Sequence, residues 1–429
     1  MPSPFLKLRS KLPDRLQSKF QSRFAKNLGW LGIAELVGRI FRLAVTVTMA
    51  RVFIPTDYAM VSAIYTVFAF GNSFSLNNAM ISKIVQVDEE HLEETCNTAY
   101  WMSWVITIAL TLLQIGLAPA IAAFYKEPTL LWPLIVLSLI YWAMPFSIVE
   151  EGLIQRQNRL DFQSKQFLIQ AILGNLTILL TLPFGFGVWG VVASMIVPSP
   201  LWCWAYAREV RWKPSRPSFS QFKPLFNFAT QASGIEWLNQ FKLNIDYLIV
   251  VQFLGPAALG QYFFAFNAGL GISQSVLYSL SSAFYPNFCE ARSDRDLLKS
   301  RFLKSVKTIG IVVIPLVIVQ TSLASVYVPL IFGQKWNDAI PVLRIICCSA
   351  IPIAFGYLAS DFLKALDRMV IDIVWNIIFV AVLGGVLFGI VQTAGGNLSA
   401  IALGVLGTYL LLMPGFCVWV YRRSFARTA

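Results

Sequence analysis

The apolar stretches of this chain are too long and too numerous for a water-soluble core. From about residue 28 to residue 421, predominantly apolar segments follow one another with only short polar connections. A spanning helix takes about 20 such residues, so a chain of 429 leaves room for about twelve spans. Hydrophobic residues make up 57% of the chain and charged residues 13%, against about 45–50% and 25% in soluble domains. The mean hydropathy is +0.64. No segment shows the ten-residue polar–apolar alternation of an outer-membrane strand. The expectation is an all-α polytopic membrane protein.

Spans are expected at about 28–53, 57–84, 95–123, 128–153 and 163–183, then from the glycine turn at 184–187 to about 207. A linker over 208–223 follows, with Arg208, Arg211, Lys213, Arg216 and Lys223 among Pro214 and Pro217. The second set is expected at about 224–254, 257–288, 305–332, 338–365, 369–392 and 398–421, before a basic tail, 422–429. The first 27 residues carry Leu8, Leu12, Leu16, Phe20 and Phe24 at every fourth position among seven basic residues. They read either as a helix on the inner membrane face or as a topogenic basic tail.

The formal charge of +12 invites a nucleic-acid reading, but the bases lie in alternate loops and not on one folded surface. Twelve spans place 27 of the 34 Lys/Arg on one side together with both termini. Arg51, Lys126 and Lys335 lie on the other, and Arg39, Arg42, Lys242 and Arg344 fall at membrane depth. By the positive-inside rule both termini are cytoplasmic. Scattered cysteines and a single histidine, His91, exclude a zinc site. Neither a GxxxxGK[ST] run nor HExxH occurs, so neither an ATPase nor a metalloprotease is read here.

The two halves align weakly with each other. Phe53–Ala59 matches Leu254–Gly260 at an offset of 201, and residues 153–159 match 362–368 at an offset of 209. Six spans per repeat make the halves parallel, related by an axis along the membrane normal. Two six-helix lobes (28–207 and 224–421) around a central cavity follow from that.

Charges inside a membrane mark function or pairing. Glu35, Arg39, Arg42 and Thr46 share one face of the first span, a cationic wall suited to phosphate. In the seventh, Glu236, Asn239 and Gln240 lie on one arc, and Lys242 and Asp246 form an i,i+4 pair on a neighbouring face. Arg344 is an isolated charge in the tenth. Amides and hydroxyls of the second and eighth spans, such as Asn72, Asn78, Gln274 and Ser275, suit either sugar hydroxyls or helix–helix bonds.

Several ordered motifs carry a family resemblance over about 28–420. Ala50-Arg51-Val52-Phe53-Ile54-Pro55 and Tyr58-Ala59 stand where "AR-x-L-G-P-x-x-F-G" is usual, with Ile54 and Ala59 replacing glycine. Phe124-Tyr125 with Pro128 matches "F-Y-x-x-P", Arg156 to Phe162 a basic "R-x-x-x-F" stretch, and Gly185 to Val192 "G-x-G-V-W-x-L-V". Asn244, Asp246, Leu248, Leu254, Gly255, Leu259, Gly260 and Tyr262 fit "N-x-D-x-L-I-V…L-G-x-x-x-L-G-x-Y". Gly333, Lys335, Trp336, Ala339 and Pro341 fit "G-x-K-W-x-x-A-x-P". Tyr285-Pro286 stands for "F-P". The chain thus resembles the Wzx-type oligosaccharide flippases, the polysaccharide-transporter family of the multidrug/oligosaccharidyl-lipid/polysaccharide exporter superfamily.

The resemblance implies a non-enzymatic transporter of a lipid-linked oligosaccharide, usually on undecaprenyl pyrophosphate, across the bacterial inner membrane for surface polysaccharide. It implies alternating access between the lobes, no organic cofactor, and proton or sodium coupling, for which Glu236 and Asp246 are the candidates by chemistry. Membrane lipids and a polysaccharide polymerase or export machinery are the expected partners. A multidrug or cation antiporter of the same fold would favour acidic and aromatic cavity residues, which the Arg39–Arg42 stripe opposes. A membrane glycosyltransferase or polymerase would need large outer loops or acidic catalytic motifs.

Overall fold

The computed structural model describes residues 41–217, 221–393 and 397–425. The basic N-terminal segment, Glu35 and Arg39 therefore lie outside the described residues. The described part is helical, with no strand among its residues.

In the first half, α1 (41–52) turns into α2 (Pro55–Phe74) and α3 (Asn77–Gln86). Proline at the first position of α2 costs no hydrogen bond, and Asp57 Oδ2 accepts from the Ile54 amide at 3.0 Å. Next comes α4 (Glu89–Phe124), 36 residues long. At 1.5 Å per residue it spans about 54 Å, more than the roughly 30 Å of hydrocarbon. Its start, with Glu89, Glu90, Glu93 and Glu94 exposed, therefore stands in the polar region. α5 (Leu131–Leu137) and α6 (Ile148–Arg156) belong to a helix pair bent by 49°. α7 (Leu160–Thr181), α8 (Val188–Ile196) and α9 (Ser199–Glu209) complete this half.

The second half repeats the opening. α10 (Phe222–Leu254) breaks at Gly255, whose φ of +87° suits glycine. α11 (Pro256–Ala265) again starts on proline and runs through a π turn, Phe266–Leu270, into α12 (Gly271–Ala291). α13 (Arg295–Tyr327) is capped by Asp294, whose side chain accepts from the amides of Asp296 and Leu297 at 3.0 Å each. α14 (Ile340–Cys348), α15 (Ala350–Ala365), α16 (Met369–Thr393) and α17 (Leu398–Phe425) follow.

Among the described residues, eight helical segments are long and apolar enough to cross a membrane, or nine with the bent pair. The expected count of twelve is not reached among the described residues. Only the end of the first is described, and the seventh and eighth (α10, and α11 with α12) are diluted by polar side chains.

One apolar core runs through both halves, from Val45 and Phe53 to Phe264, Trp336 and Phe416. Its seam is closest where α2 lies on α11. A Cβ at Gly260 would collide with the Pro55 carbonyl, so only glycine allows this approach. The two turns matched in sequence are thus packed against each other.

Candidate functional site

The polar side chains of the interior gather in a seal between the halves, a cavity in the first half and a cavity in the second. The seal is built from helix ends. The last carbonyls of a helix lack intrahelical partners and carry its negative pole, so they attract donors and cations. Three helices that end at this seam, α1, α10 and α13, are capped by the opposite half. At the end of α1, the Ala50 carbonyl accepts from Trp336 Nε1 at 2.8 Å and the Arg51 carbonyl from Lys335 Nζ at 2.9 Å. In return, Arg51 donates Nη2 to Leu330 O at 2.7 Å and Nε to Ile331 O at 2.9 Å, in the π turn that closes α13. Near the end of α10, Gln252 O accepts from Lys126 Nζ at 3.1 Å. The fully buried Trp336 ring lies flat on Phe264, centroids 4.0 Å apart, with Tyr58 edge-on at 4.8 Å.

All three bases assigned to the sparsely charged side are therefore spent on holding the halves together. Sequence reasoning used them to orient the chain and, for Arg51 and Lys335, as motif positions, without giving them a role. The signal that marks them is their scarcity on that side, together with the Ala50-Arg51 and Lys335-Trp336 motifs.

Below the seal, α10 presents two faces. One docks on α2 and α3: Thr66 Oγ1 donates to Asn244 Oδ1 at 2.9 Å, Trp237 Nε1 to Ser73 O at 3.1 Å, and Asn78 Nδ2 to Glu236 Oε1 at 3.2 Å. Phe70 meets Phe241, and Phe74 meets Trp237, each pair at 5.1 Å. Gln240 lies on this side too, its side-chain Oε1 3.5 Å from the donor Asn244 Nδ2. The other face looks into a cavity of about 340 Å³ bounded by α10, α12, α15, α16 and α17. Asn239 and Lys242 line it, with Gln274, Tyr278, Tyr357, Ser360, Lys364, Asp372 and Asn376 from the other walls.

Lys242 and Asp246 do not pair, although their spacing permits it. Lys242 Nζ donates to Asn376 Oδ1 on α16 at 2.7 Å and stands 5.2 Å from the centre of the Phe379 ring. Asp246 is buried at 6% exposure, accepting from Tyr262 Oη at 2.8 Å and from the Tyr247 amide at 3.0 Å. It lines neither cavity. Arg344 is exposed and ties α14 to α13, donating to Thr321 O at 3.0 Å and Ser325 Oγ at 2.7 Å; it too lines neither.

Arg42 lines the first-half cavity, about 730 Å³, with Tyr65, Phe68, Phe167, Gln170 and Asn175. The Glu35–Arg39 part of the cationic stripe lies outside the described residues. The described cavities thus sit one in each half, while Thr66, Phe70, Phe241 and Asn244 fill the α2–α10 seam. Away from both, Arg156 gathers the end of α3, donating Nη1 to the carbonyls of Ile84, Val85 and Val87 (3.0, 3.2 and 2.5 Å) and Nη2 to Glu89 at 2.8 Å.

Comparison with known proteins agrees with this architecture. The teichuronic acid biosynthesis protein TuaB of Bacillus subtilis is 24% identical over 342 residues, covering 79% of this chain and 69% of TuaB. The lipopolysaccharide biosynthesis protein WzxC of Escherichia coli is 22% identical over 403 residues, covering 90% and 80%. The fold is similar to that of the lipid II flippase MurJ, whose solved structure is in an inward closed conformation, with a TM-score of 0.78 over 91% of this chain and 87% of MurJ at 12% identity. Residues 48–341 match the family described as polysaccharide biosynthesis protein. The chain is therefore a multi-pass membrane protein, and it belongs to the polysaccharide biosynthesis protein family.

Proposed function

We propose that this chain carries an oligosaccharide linked to a polyprenyl pyrophosphate from the inner to the outer leaflet of the bacterial inner membrane. The observation that carries the reading is the reciprocal capping of helix ends across the seam. Arg51, Lys126 and Lys335 bond backbone carbonyls of the opposite half, and the same carbonyls can turn to water when the halves part. This is the chemistry of a gate that opens and closes, and it lies at the end to which the charge pattern assigns the outer side. Both termini are then cytoplasmic.

In this reading the halves alternate their opening, the headgroup crosses through the polar interior, and the lipid tail stays in the bilayer. Arg42, with Arg39 on the same helical stripe, serves the pyrophosphate; amides and hydroxyls along α10 and α12 serve the sugars. A proton or sodium gradient drives the cycle. Glu236, which faces Asn78 across the seam, suits coupling better than Asp246, which is enclosed by Tyr247 and Tyr262. A polymerase or export system takes the glycan on the far side.

Cells lacking the chain are expected to accumulate the lipid-linked glycan on the cytoplasmic leaflet, and Arg39→Ala with Arg42→Ala is expected to reproduce this while still inserting. Normal surface glycan with the double variant would refute the arginine assignment. An unchanged leaflet distribution in the deletion strain would refute the flippase.

A further inference from the structure

The second-half cavity carries a specific set of groups. Its wall holds two ammonium groups, Lys242 and Lys364, and one carboxylate, Asp372. Lys242 bonds a neutral amide, Asn376 Oδ1, has an aromatic face beside it, and feels the Asp372 carboxylate through space without forming an ion pair with it. An ammonium has three N–H donors, so this one keeps capacity for an anion. Asp372 Oδ1 accepts from Ser360 Oγ at 2.6 Å, and Lys364 lies 3.7 Å from Asp361. The rings of Tyr278 and Tyr357 are stacked 5.8 Å apart at 21°, and Gln274 Nε2 donates to Tyr278 Oη at 3.2 Å.

A pyranose ring has an apolar C–H face and a rim of hydroxyls. Tyrosine rings match the face, while Asn239, Ser360, Asp372 and Asn376 match the rim. Lys242 is left to match a negative group. A pyrophosphate has no apolar face to lay on the tyrosine rings, and its charge of more than one unit would meet Asp372 more strongly than a single carboxylate does. The volume, about 340 Å³, is at the low end of the roughly 300–1,000 Å³ of small-ligand sites, a size for sugar and not for a lipid.

We propose that this cavity is a subsite for an acidic sugar of the carried glycan, in which Lys242 takes the sugar carboxylate and Tyr278 and Tyr357 take the ring face. The proposal rests on the glycan-carrier reading above and narrows its substrate class to glycans that contain a uronic-acid type residue.

The test is equilibrium binding to the purified full-length protein, read by tryptophan fluorescence because Trp375 lines the cavity. The probes are a tetrasaccharide with one glucuronic acid, its all-glucose counterpart, and inorganic pyrophosphate. The acidic probe is expected to bind at least tenfold tighter than the neutral one. Lys242→Met should remove that difference, Lys242→Arg should keep most of it, and Tyr357→Leu should weaken both sugars alike. Equal binding of the two sugars by the wild type overturns the proposal, as does Lys242→Met without effect, or pyrophosphate as the tightest probe with the same Lys242 dependence. If Lys242→Met fails to fold, the wild-type comparison and Tyr357→Leu decide. Flipping of lipid-linked forms in vesicles separates the two readings. Neutral and acidic glycans moving equally would sink the subsite and spare the carrier. An acidic preference in binding with neither glycan moving would sink the carrier and spare the subsite.

Discussion

Arg51 makes two charge-assisted bonds to carbonyls of the opposite half, and Lys335 returns one to the Arg51 carbonyl. Bonds to charged groups are worth about 1.5–3 kcal/mol each, and about 1.4 kcal/mol is tenfold in a population. Replacing both residues by methionine removes three such bonds at exposed positions, where water takes over much of each bond, and is therefore expected to raise the outward-open population by at least tenfold. The reporter is Ala59→Cys in a cysteine-free background, at a position 1% exposed. Its labelling by an impermeant maleimide should rise at least tenfold, and unchanged labelling would remove the gate role. Arg156 is expected to act on stability and not on transport geometry. Arg156→Ala frees three carbonyls and a carboxylate and should destabilise by about 2–3 kcal/mol, seen as a lowered melting temperature of the purified protein.

Among the elements, α10 and the α2–α11 contact decide the design. Gly260 lets α11 lie on the Pro55 carbonyl, and any side chain there must push backbone away. Gly260→Leu is expected to prevent closure of the seal, with export falling at least tenfold at normal membrane insertion; wild-type export by this variant would contradict the packing account. That α10 carries polar residues on more than one face was legible in its sequence, but their grouping was not: Asn239, read on one arc with Glu236 and Gln240, joins Lys242 at the cavity, while Glu236 and Gln240 turn towards α2 and α3. Which partner each face meets was not legible. The i,i+4 spacing offers Lys242 to Asp246, but Asn376 from α16 and Tyr262 from α11 arrive at 2.7 and 2.8 Å and take one each. Such partners come from residues far along the chain, and no local spacing records them. The second-half cavity was only half visible for the same reason. Asn239 and Lys242 stood out on α10, whereas Asp372, Asn376 and Tyr357 look like ordinary residues of apolar helices until the fold assembles them.

For the whole molecule, the hydropathy pattern and the paired proline turns announce two repeated halves, and the structure places those turns in contact. The charge asymmetry adds an orientation. Lys126→Cys is expected to react with impermeant reagent from the periplasmic side, and Lys213→Cys only after the membrane is opened; the reverse pattern would invert the topology. The central claim is movement of a lipid-linked oligosaccharide between leaflets. Its most direct measurement uses the purified protein in vesicles loaded with a polyprenyl-pyrophosphate oligosaccharide, with an added enzyme cutting only glycan exposed on the outer leaflet. The account predicts that the protected inner-leaflet half becomes accessible with the protein present and stays protected in protein-free vesicles. An accessible fraction that stays at one half, with the protein inserted and folded and any required gradient applied, would contradict it.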